Sequence, residues 1–141
     1  MNYIKEVAKF YRVYDKEFLA RFSDPKSIRI LHGAMGITGE AGEIMEMLKK
    51  HLNYNRELDL LDLKEELGDI CWYMAIILDE LDSSFEEIMY INIKKLSKRY
   101  SKGFSESAAN NRDKEAERAV IKKAAEEVMN ENDKLLKKLA D

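Results

Sequence analysis

The stretch that decides the fold runs from Gly39 to Asp69 and reads GEAGEIMEMLKKHLNYNRELDLLDLKEELGD. It contains two acidic pairs, Glu40 with Glu43 and Glu66 with Asp69. Each pair is spaced i, i+3, which places both side chains on one face of a helix. If the two helices pack side by side, the four carboxylates meet. Four such anions repel one another unless a cation neutralises them, so the pattern indicates a hard divalent ion, Mg²⁺ first and Mn²⁺ second.

Four glycines recur at every third position around the first acidic pair: Gly33, Gly36, Gly39 and Gly42. A glycine inside a helix costs up to about 1 kcal/mol relative to alanine, so the series requires a tertiary reason. Close approach of a second helix or room for a ligand would supply one. A kinked or irregular segment is the alternative interpretation.

The apolar periodicity of the rest of the chain predicts an all-α protein. Asp62, with Glu65 three residues later, has the pattern of a capping box at the start of the third helix. Ser84 with Glu87 has the same pattern before the fourth. We expect a polar loop over residues 105–112. The predicted helices cover residues 2–22, 27–52, 63–81, 85–100 and 113–139.

The apolar positions of the second predicted helix include Ile28, Leu31, Met35 and Met45. The third predicted helix is expected to bury its apolar residues, which are Leu63, Leu67, Ile70, Met74, Ile77, Leu78 and Leu81. The tail helix has only a narrow apolar stripe, which indicates packing on another chain or marginal stability alone. That stripe consists of Ala116, Val120, Ala124, Val128, Leu135 and Leu139.

Composition narrows the class of protein. The net charge of −3 combines 24 basic with 27 acidic residues, which argues against a nucleic-acid partner. The single cysteine, Cys71, fits a reducing cytosol. Uncharged runs such as residues 70–78 are too short to span a bilayer, and the N-terminus does not have the pattern of a signal peptide. We therefore expect a cytoplasmic protein with no membrane partner.

Three blocks of sequence carry a family resemblance: GEAGEI, ELGDICWYMA and NIKKLSKRY. Together they resemble the MazG-like all-α nucleoside triphosphate pyrophosphohydrolases, whose hallmark is EExxE, a spacer, then ExxD. Glu40 and Glu43 fit the first motif, Glu66 and Asp69 fit the second, and twenty-two residues separate the motifs. One departure is that Gly39 stands where the hallmark has its leading glutamate, which makes the chain similar to the smaller, phage-type branch.

The resemblance implies a fold and an assembly. It implies a four-helix core bundle at residues 1–104, followed by a linker and an extra C-terminal helix at residues 105–141. The family completes its site by forming a homodimer, sometimes paired into a tetramer. The implied reaction is Mg²⁺-dependent hydrolysis of a (deoxy)nucleoside triphosphate between its α and β phosphates, which yields a nucleoside monophosphate and pyrophosphate.

The resemblance also implies residue roles. The residues implied to be catalytic and to bind the metal are Glu40, Glu43, Glu66 and Asp69. The residues implied to contact the phosphates are Asn92 and Lys95, with Arg99 and Tyr100 just beyond them. Two more are implied to line the base or sugar pocket: His32 and Trp72. The general base stays open between one of the four carboxylates and Glu46, one turn beyond Glu43.

Three alternative interpretations differ from this one in what they require of the sequence. A di-iron carboxylate bundle needs Glu-x-x-His on two helices, and neither His32 nor His51 has a glutamate three residues before it. A helical interaction module that pairs through its tail would leave the clustered acids and glycines unexplained. The same fold acting on a modified nucleotide or an alarmone stays open.

Overall fold

The computed structural model describes residues 2–11 and 14–140, and for residues 135–140 only the backbone. These residues are mostly helical, and no strand occurs among them. A single 3₁₀ turn, Ala8–Phe10, follows the first helix. No helix in the described ranges is long and apolar enough to cross a membrane. The helices are α1 (Tyr3–Val7), α2 (Lys16–Arg21), α3 (Pro25–Tyr54), α4 (Leu60–Glu80), α5 (Phe85–Arg99), α6 (Glu106–Asn110) and α7 (Lys114–Ala140).

The prediction of an all-α chain with an extra C-terminal helix is confirmed. The chain forms two compact units, Met1–Glu80 and Leu81–Asp141. The first unit is built on the packing of α3 against α4, and the second on the packing of α5 against α7.

The prediction of one N-terminal helix over residues 2–22 is wrong. Helix α1 ends at Val7, and α2 begins only at Lys16. Asp15 starts the new helix because its side chain accepts a hydrogen bond from the backbone N–H of Phe18 at 2.7 Å. An aspartate in this position satisfies a backbone donor that a continuous helix would pair internally.

Helix α3 is continuous over 30 residues, so the alternative of a kinked glycine segment is wrong. Asp24 caps its start by accepting a hydrogen bond from the backbone N–H of Ser27 at 2.8 Å. Pro25 occupies the first turn, where its missing N–H costs nothing. The helix ends at Asn55, which adopts the left-handed conformation with φ of 51°.

Helix α4 begins earlier than predicted because Asp59 caps it. The Asp59 carboxylate accepts hydrogen bonds from the backbone N–H groups of Leu61 (2.8 Å) and Asp62 (3.3 Å). The prediction that Asp62 and Glu65 form the capping box is therefore wrong, and both residues lie inside the helix. Their side chains are free for another role.

The first two glycines of the series let α3 and α4 approach closely. A Cβ atom at Gly33 would lie 2.6 Å from Cγ1 of Ile77 and 2.9 Å from the carbonyl oxygen of Tyr73. A Cβ atom at Gly36 would overlap the Tyr73 ring. Among the described residues, nothing lies within 4 Å of the same position at Gly39 or Gly42. Close helix approach therefore accounts for half of the series.

The first unit leaves most of its apolar side chains exposed, because each helix of a pair covers only one face of the other. Leu78 is its buried hydrophobic residue, at 6% exposure. Cys71 is exposed too. The prediction of burial is wrong for Leu67, at 50% exposure, and for Leu81 of the second unit, at 54%. The apolar side chains of α3 that are exposed as well, between 43% and 65%, are Ile28, Leu31, Met35 and Met45.

In the second unit the cap predicted for the fourth helix is confirmed, since Ser84 accepts a hydrogen bond from the backbone N–H of Glu87 at 3.1 Å. The tail helix α7 packs against α5 of the same chain, with Ala124 buried at its centre. The short helix α6 stands within the stretch that was predicted to be a loop. The side chains of Leu135 and Leu139 lie outside the described residues.

Candidate metal centre

The packing of α3 against α4 brings three of the four predicted carboxylates together. Oxygen atoms of Glu40 and Glu43 on α3 and Glu66 on α4 all lie within 4.8 Å of one another. Glu40 and Glu66 are half-buried, whereas Glu43 is exposed. Asp69 is exposed one turn along α4 and is close enough for its charge to act on Glu66.

Contacts along α3 and α4 explain why these carboxylates face each other. Near the start of α3, the Arg29 guanidinium pairs with Glu80, at the end of α4, at 2.7 Å. Farther along, Gly36 packs on the ring of Tyr73. The two helices are therefore antiparallel. One more turn of each reaches Glu40 on α3 and Asp69 on α4, and Glu43 and Glu66 follow about one turn beyond. The close helix approach at the glycines ends one turn before the acidic cluster.

The electrostatics of the cluster favour a bound cation. The pKa of Glu66 is raised above its ordinary value, first by partial burial and then by the charge of Glu43, a hydrogen bond with Glu40 and the charge of Asp69. Carboxylate oxygens are the donors that Mg²⁺ and Mn²⁺ prefer. A divalent ion would neutralise the repulsion among these carboxylates, which adds to the effect of burial on this pKa, so the residues present fit such an ion.

The carboxylates line an open cleft of about 540 Å³, which falls in the range of ligand sites. Asp62 and Glu65 line it as well, although their spacing to each other had suggested a capping role. A signal for Asp62 was available in the sequence. It precedes Glu66 by four residues and Asp69 by seven, and these spacings place all three on one face of a helix.

An aromatic group lies on the same helix pair. Tyr73 packs edge-on against His32, with ring centroids 5.8 Å apart, and against Trp72, at 4.7 Å. His32 is exposed, and the Trp72 side chain is 57% exposed. Trp72 follows Asp69 by three residues, so the two lie on one face of α4. The sequence had not singled out Tyr73, whose spacing of seven residues from Glu66 was the available signal.

The four predicted phosphate contacts belong to the second unit. On α5, Asn92 is exposed and Lys95 is half-buried, one turn apart. Tyr100 ends the helix and has its ring beside the Arg99 guanidinium, at 5.6 Å. The Arg99 guanidinium is already paired, since its Nε and Nη2 donate hydrogen bonds to the two carboxylate oxygens of Glu117, at 2.7 and 2.8 Å.

Glu117 was missed by the sequence reasoning. Its side chain is 5% exposed and also accepts a hydrogen bond from Nη2 of Arg112 at 2.7 Å. Arg99 and then Arg112 lower the pKa of Glu117 to about 2, and the same carboxylate raises the pKa of Arg99 further. No local pattern marks this residue, because its partner Arg99 lies 18 positions away in the chain.

Comparison with known proteins adds three findings. Residues 32–104 match the model of the MazG nucleotide pyrophosphohydrolase domain. The Gene 37 protein of Mycobacterium phage L5 is 36% identical over 86 residues, which cover 55% of this chain and 72% of that protein. Its name states no activity. No solved structure matches the chain significantly.

Proposed function

Since the chain belongs to the MazG nucleotide pyrophosphohydrolase family, we propose that it hydrolyses (deoxy)nucleoside triphosphates at the α–β phosphate bond with Mg²⁺ as cofactor. Water adds across the bridging P–O–P bond, and the products are a nucleoside monophosphate and pyrophosphate. Mn²⁺ is the expected substitute for Mg²⁺. The observation that carries the proposal is the convergence of Glu40, Glu43 and Glu66 within 4.8 Å, at the motif positions of the family match.

The proposed metal ligands are these three glutamates together with Asp69. A triphosphate carries about four negative charges, so an acidic cleft would repel it if the cleft held no cation. When bound, a divalent ion supplies charge neutralisation to the phosphate oxygens and lowers the pKa of water. The proposed part of the chain is to hold these carboxylates at one place, where they bind the ion.

The candidates for the general base can be narrowed. Glu46 lies 3.1 Å from the ammonium of Lys50, and this hydrogen bond and charge lower the pKa of Glu46. A lowered pKa weakens a carboxylate as a proton acceptor. The pKa of Glu66 is shifted in the opposite direction. We therefore propose that one of the four clustered carboxylates, rather than Glu46, accepts the proton.

Two further groups are proposed to bind the rest of the nucleotide. Asn92 and Lys95 are proposed to contact the phosphates, because an amide donor and an ammonium on one face of α5 suit phosphate oxygens. His32 and Trp72 are proposed to stack on the base or sugar, because their exposed rings flank Tyr73. Arg99 is omitted from this set, since Glu117 already occupies its guanidinium.

We also propose that the protein is a homodimer, or a tetramer built from two dimers. One face of α3 supports this proposal, since Ile28, Leu31, Met35 and Met45 recur on it at helical spacing and are all exposed. Apolar surface of this kind on a soluble protein marks an interface. Light scattering should give at least twice the 16.5 kDa mass of the chain. Elution as a monomer at micromolar concentration would contradict the proposal.

The test of the reaction is pyrophosphate release from a panel of canonical and modified nucleoside triphosphates, with and without Mg²⁺. Glu43→Gln and Asp69→Asn should abolish metal-dependent release. Glu65→Gln is the matched control, because it removes one charge from the same cleft but none of the proposed ligands. If the control variant also loses pyrophosphate release, the reaction depends on the total negative charge of the cleft and not on metal binding by particular carboxylates.

The other outcomes separate the remaining interpretations. A rise in melting temperature with Mg²⁺ but no pyrophosphate from any nucleotide would mean that the substrate lies outside the panel, for example an alarmone. If Mg²⁺ does not raise the melting temperature and no nucleotide is hydrolysed, the metal site is refuted. That result would favour a helical interaction module.

A further inference from the structure

The C-terminal helix α7 is held against α5 by two side-chain contacts, which together are called the grip. Near the end of α5, the Glu117 carboxylate on α7 accepts both hydrogen bonds of the Arg99 fork, at 2.7 and 2.8 Å. Near its start, the hydroxyl of Tyr90 donates a hydrogen bond to the Glu127 carboxylate at 2.8 Å. Because Tyr90 pairs with the later residue of α7 and Arg99 with the earlier one, the two helices are antiparallel.

The two contacts lie on opposite sides of α5. Nine residues separate Tyr90 from Arg99, and nine steps of 100° amount to half a turn around the helix axis. Both side chains nevertheless reach α7, so α7 is bound to two opposite sides of α5. Such a grip opposes rotation of α5 about its own axis, which a contact on one side would not do.

The grip bears on two residues of the proposed substrate site. Asn92, Lys95 and Arg99 are spaced i, i+3, i+7 and therefore lie on one stripe of α5. Arg99 is the last residue of that stripe, so its pairing with Glu117 fixes the direction in which the stripe faces. That partner, Glu117, is buried and charge-paired on both sides, since Arg112 binds the same carboxylate. Paired buried charges of this kind hold a defined geometry better than exposed ones.

We infer that Glu117 is a positioning residue, which acts through Arg99 to orient Asn92 and Lys95 of α5 toward the nucleotide phosphates. The C-terminal extension is then a working part of the enzyme, although it lies beyond residue 104, where the family match ends. This inference rests on the proposed function of Asn92 and Lys95. It gives Arg99 the role of a connector to α7 instead of a ligand of the substrate.

The test compares the full-length protein with Glu117→Gln, which removes the charge that both arginines share. The matched control is Glu126→Gln, an exposed glutamate on α7 that makes no ion pair among the described residues. Two quantities are measured, namely hydrogen exchange of the α5 amides and steady-state kinetics at a temperature where every variant is folded. For Glu117→Gln we expect exchange at the end of α5 to rise at least about tenfold. We expect KM to rise by a similar factor while kcat stays within about threefold.

Two more variants keep the result interpretable. Glu117→Asp retains the carboxylate and should recover most of the loss in KM. If Glu117→Gln does not fold, Arg112→Gln serves in its place, because Arg112 is 40% exposed and its loss leaves the Arg99 pair intact. We expect Arg112→Gln to raise KM by a smaller factor in the same direction.

Each outcome decides a different claim. If the variants melt at lower temperature but keep the KM and α5 exchange of the native protein, the contact is only structural and the inference is overturned. A fall in kcat with unchanged KM would also overturn it, because phosphate binding would then not depend on the grip. If the native protein releases no pyrophosphate from any nucleotide, the proposed function fails, and the exchange experiment alone judges the grip.

Discussion

Substitution of Gly36 by alanine should push α3 and α4 apart, because the new methyl group has no room. It would overlap Cγ, Cδ1 and Cε1 of the Tyr73 ring. Cγ is the ring atom nearest the backbone, so a small rotation does not clear it. The ring is also held between His32, at 5.8 Å, and Trp72, at 4.7 Å. The side chain must therefore leave its rotamer or the helices must separate.

The magnitude follows from two opposing effects. Overpacking costs typically about 1–3 kcal/mol and occasionally more, and the overlap at the base of the ring places Gly36→Ala at the upper end. Replacing a helical glycine by alanine returns about 1 kcal/mol. The net loss in the free energy of unfolding is therefore about 2 kcal/mol. At about 3 °C per kcal/mol for a chain of this size, the melting temperature should fall by about 6 °C.

Gly39→Ala is the matched control, one helical turn farther along α3. No described atom lies within 4 Å of a Cβ atom there, so only the helix propensity changes. We expect a rise in melting temperature of about 2–3 °C. The assay is thermal unfolding followed by circular dichroism. In a Tyr73→Leu background the cost of Gly36→Ala should shrink, which a double-mutant cycle would show. Equal or higher stability of Gly36→Ala would refute the close-approach account of this glycine.

Three further predictions concern stability and assembly. Arg29→Gln removes an exposed ion pair with Asp79 and a second pair with Glu80, whose side chain is 14% exposed, so it should lower the free energy of unfolding by about 1 kcal/mol, and by less at high salt; unchanged or higher stability would contradict this. Glu117 is stabilised in its charged form, with a pKa of about 2 against 4.5 ordinarily, first by Arg99 and then by Arg112. Its contribution is complete above about pH 4.5 and is lost as the pH falls toward 2. The difference in melting temperature between the native protein and Glu117→Gln should thus be constant above pH 5 and shrink below it, whereas a difference that grows on acidification would have the wrong sign. Met35→Glu, at a side chain 65% exposed, should lower the mass measured by light scattering, whereas Lys122→Glu at an exposed polar position should not; an unchanged mass would place the interface elsewhere.

Local sequence patterns predicted the features of this chain that depend on neighbours within a turn or two. The i, i+3 spacing of Glu40 with Glu43 correctly placed both on one face of a helix, and Ser84 was correctly identified as a cap. The one predicted cap that is wrong, Asp62, also depends on local geometry. Asp59, and not Asp62, caps α4, because the Asp59 carboxylate accepts hydrogen bonds from two backbone N–H groups. The hallmark acids and their spacing were also enough to point to the family.

Only the tertiary structure decided which surfaces the helices cover and which distant charges meet. Apolar spacing predicts an amphipathic face, but it does not say whether a partner lies on it, and Met35 and Leu67 are accordingly exposed. The contact of Glu66 with the α3 glutamates depends on how closely the two helices approach. That approach requires glycine at position 36, because the Tyr73 ring fills the space that a Cβ atom would take. The pairing of Arg99 with a buried carboxylate 18 residues away leaves no periodic trace in the sequence. Periodicity reports the geometry of one helix, whereas these contacts depend on the relative placement of two.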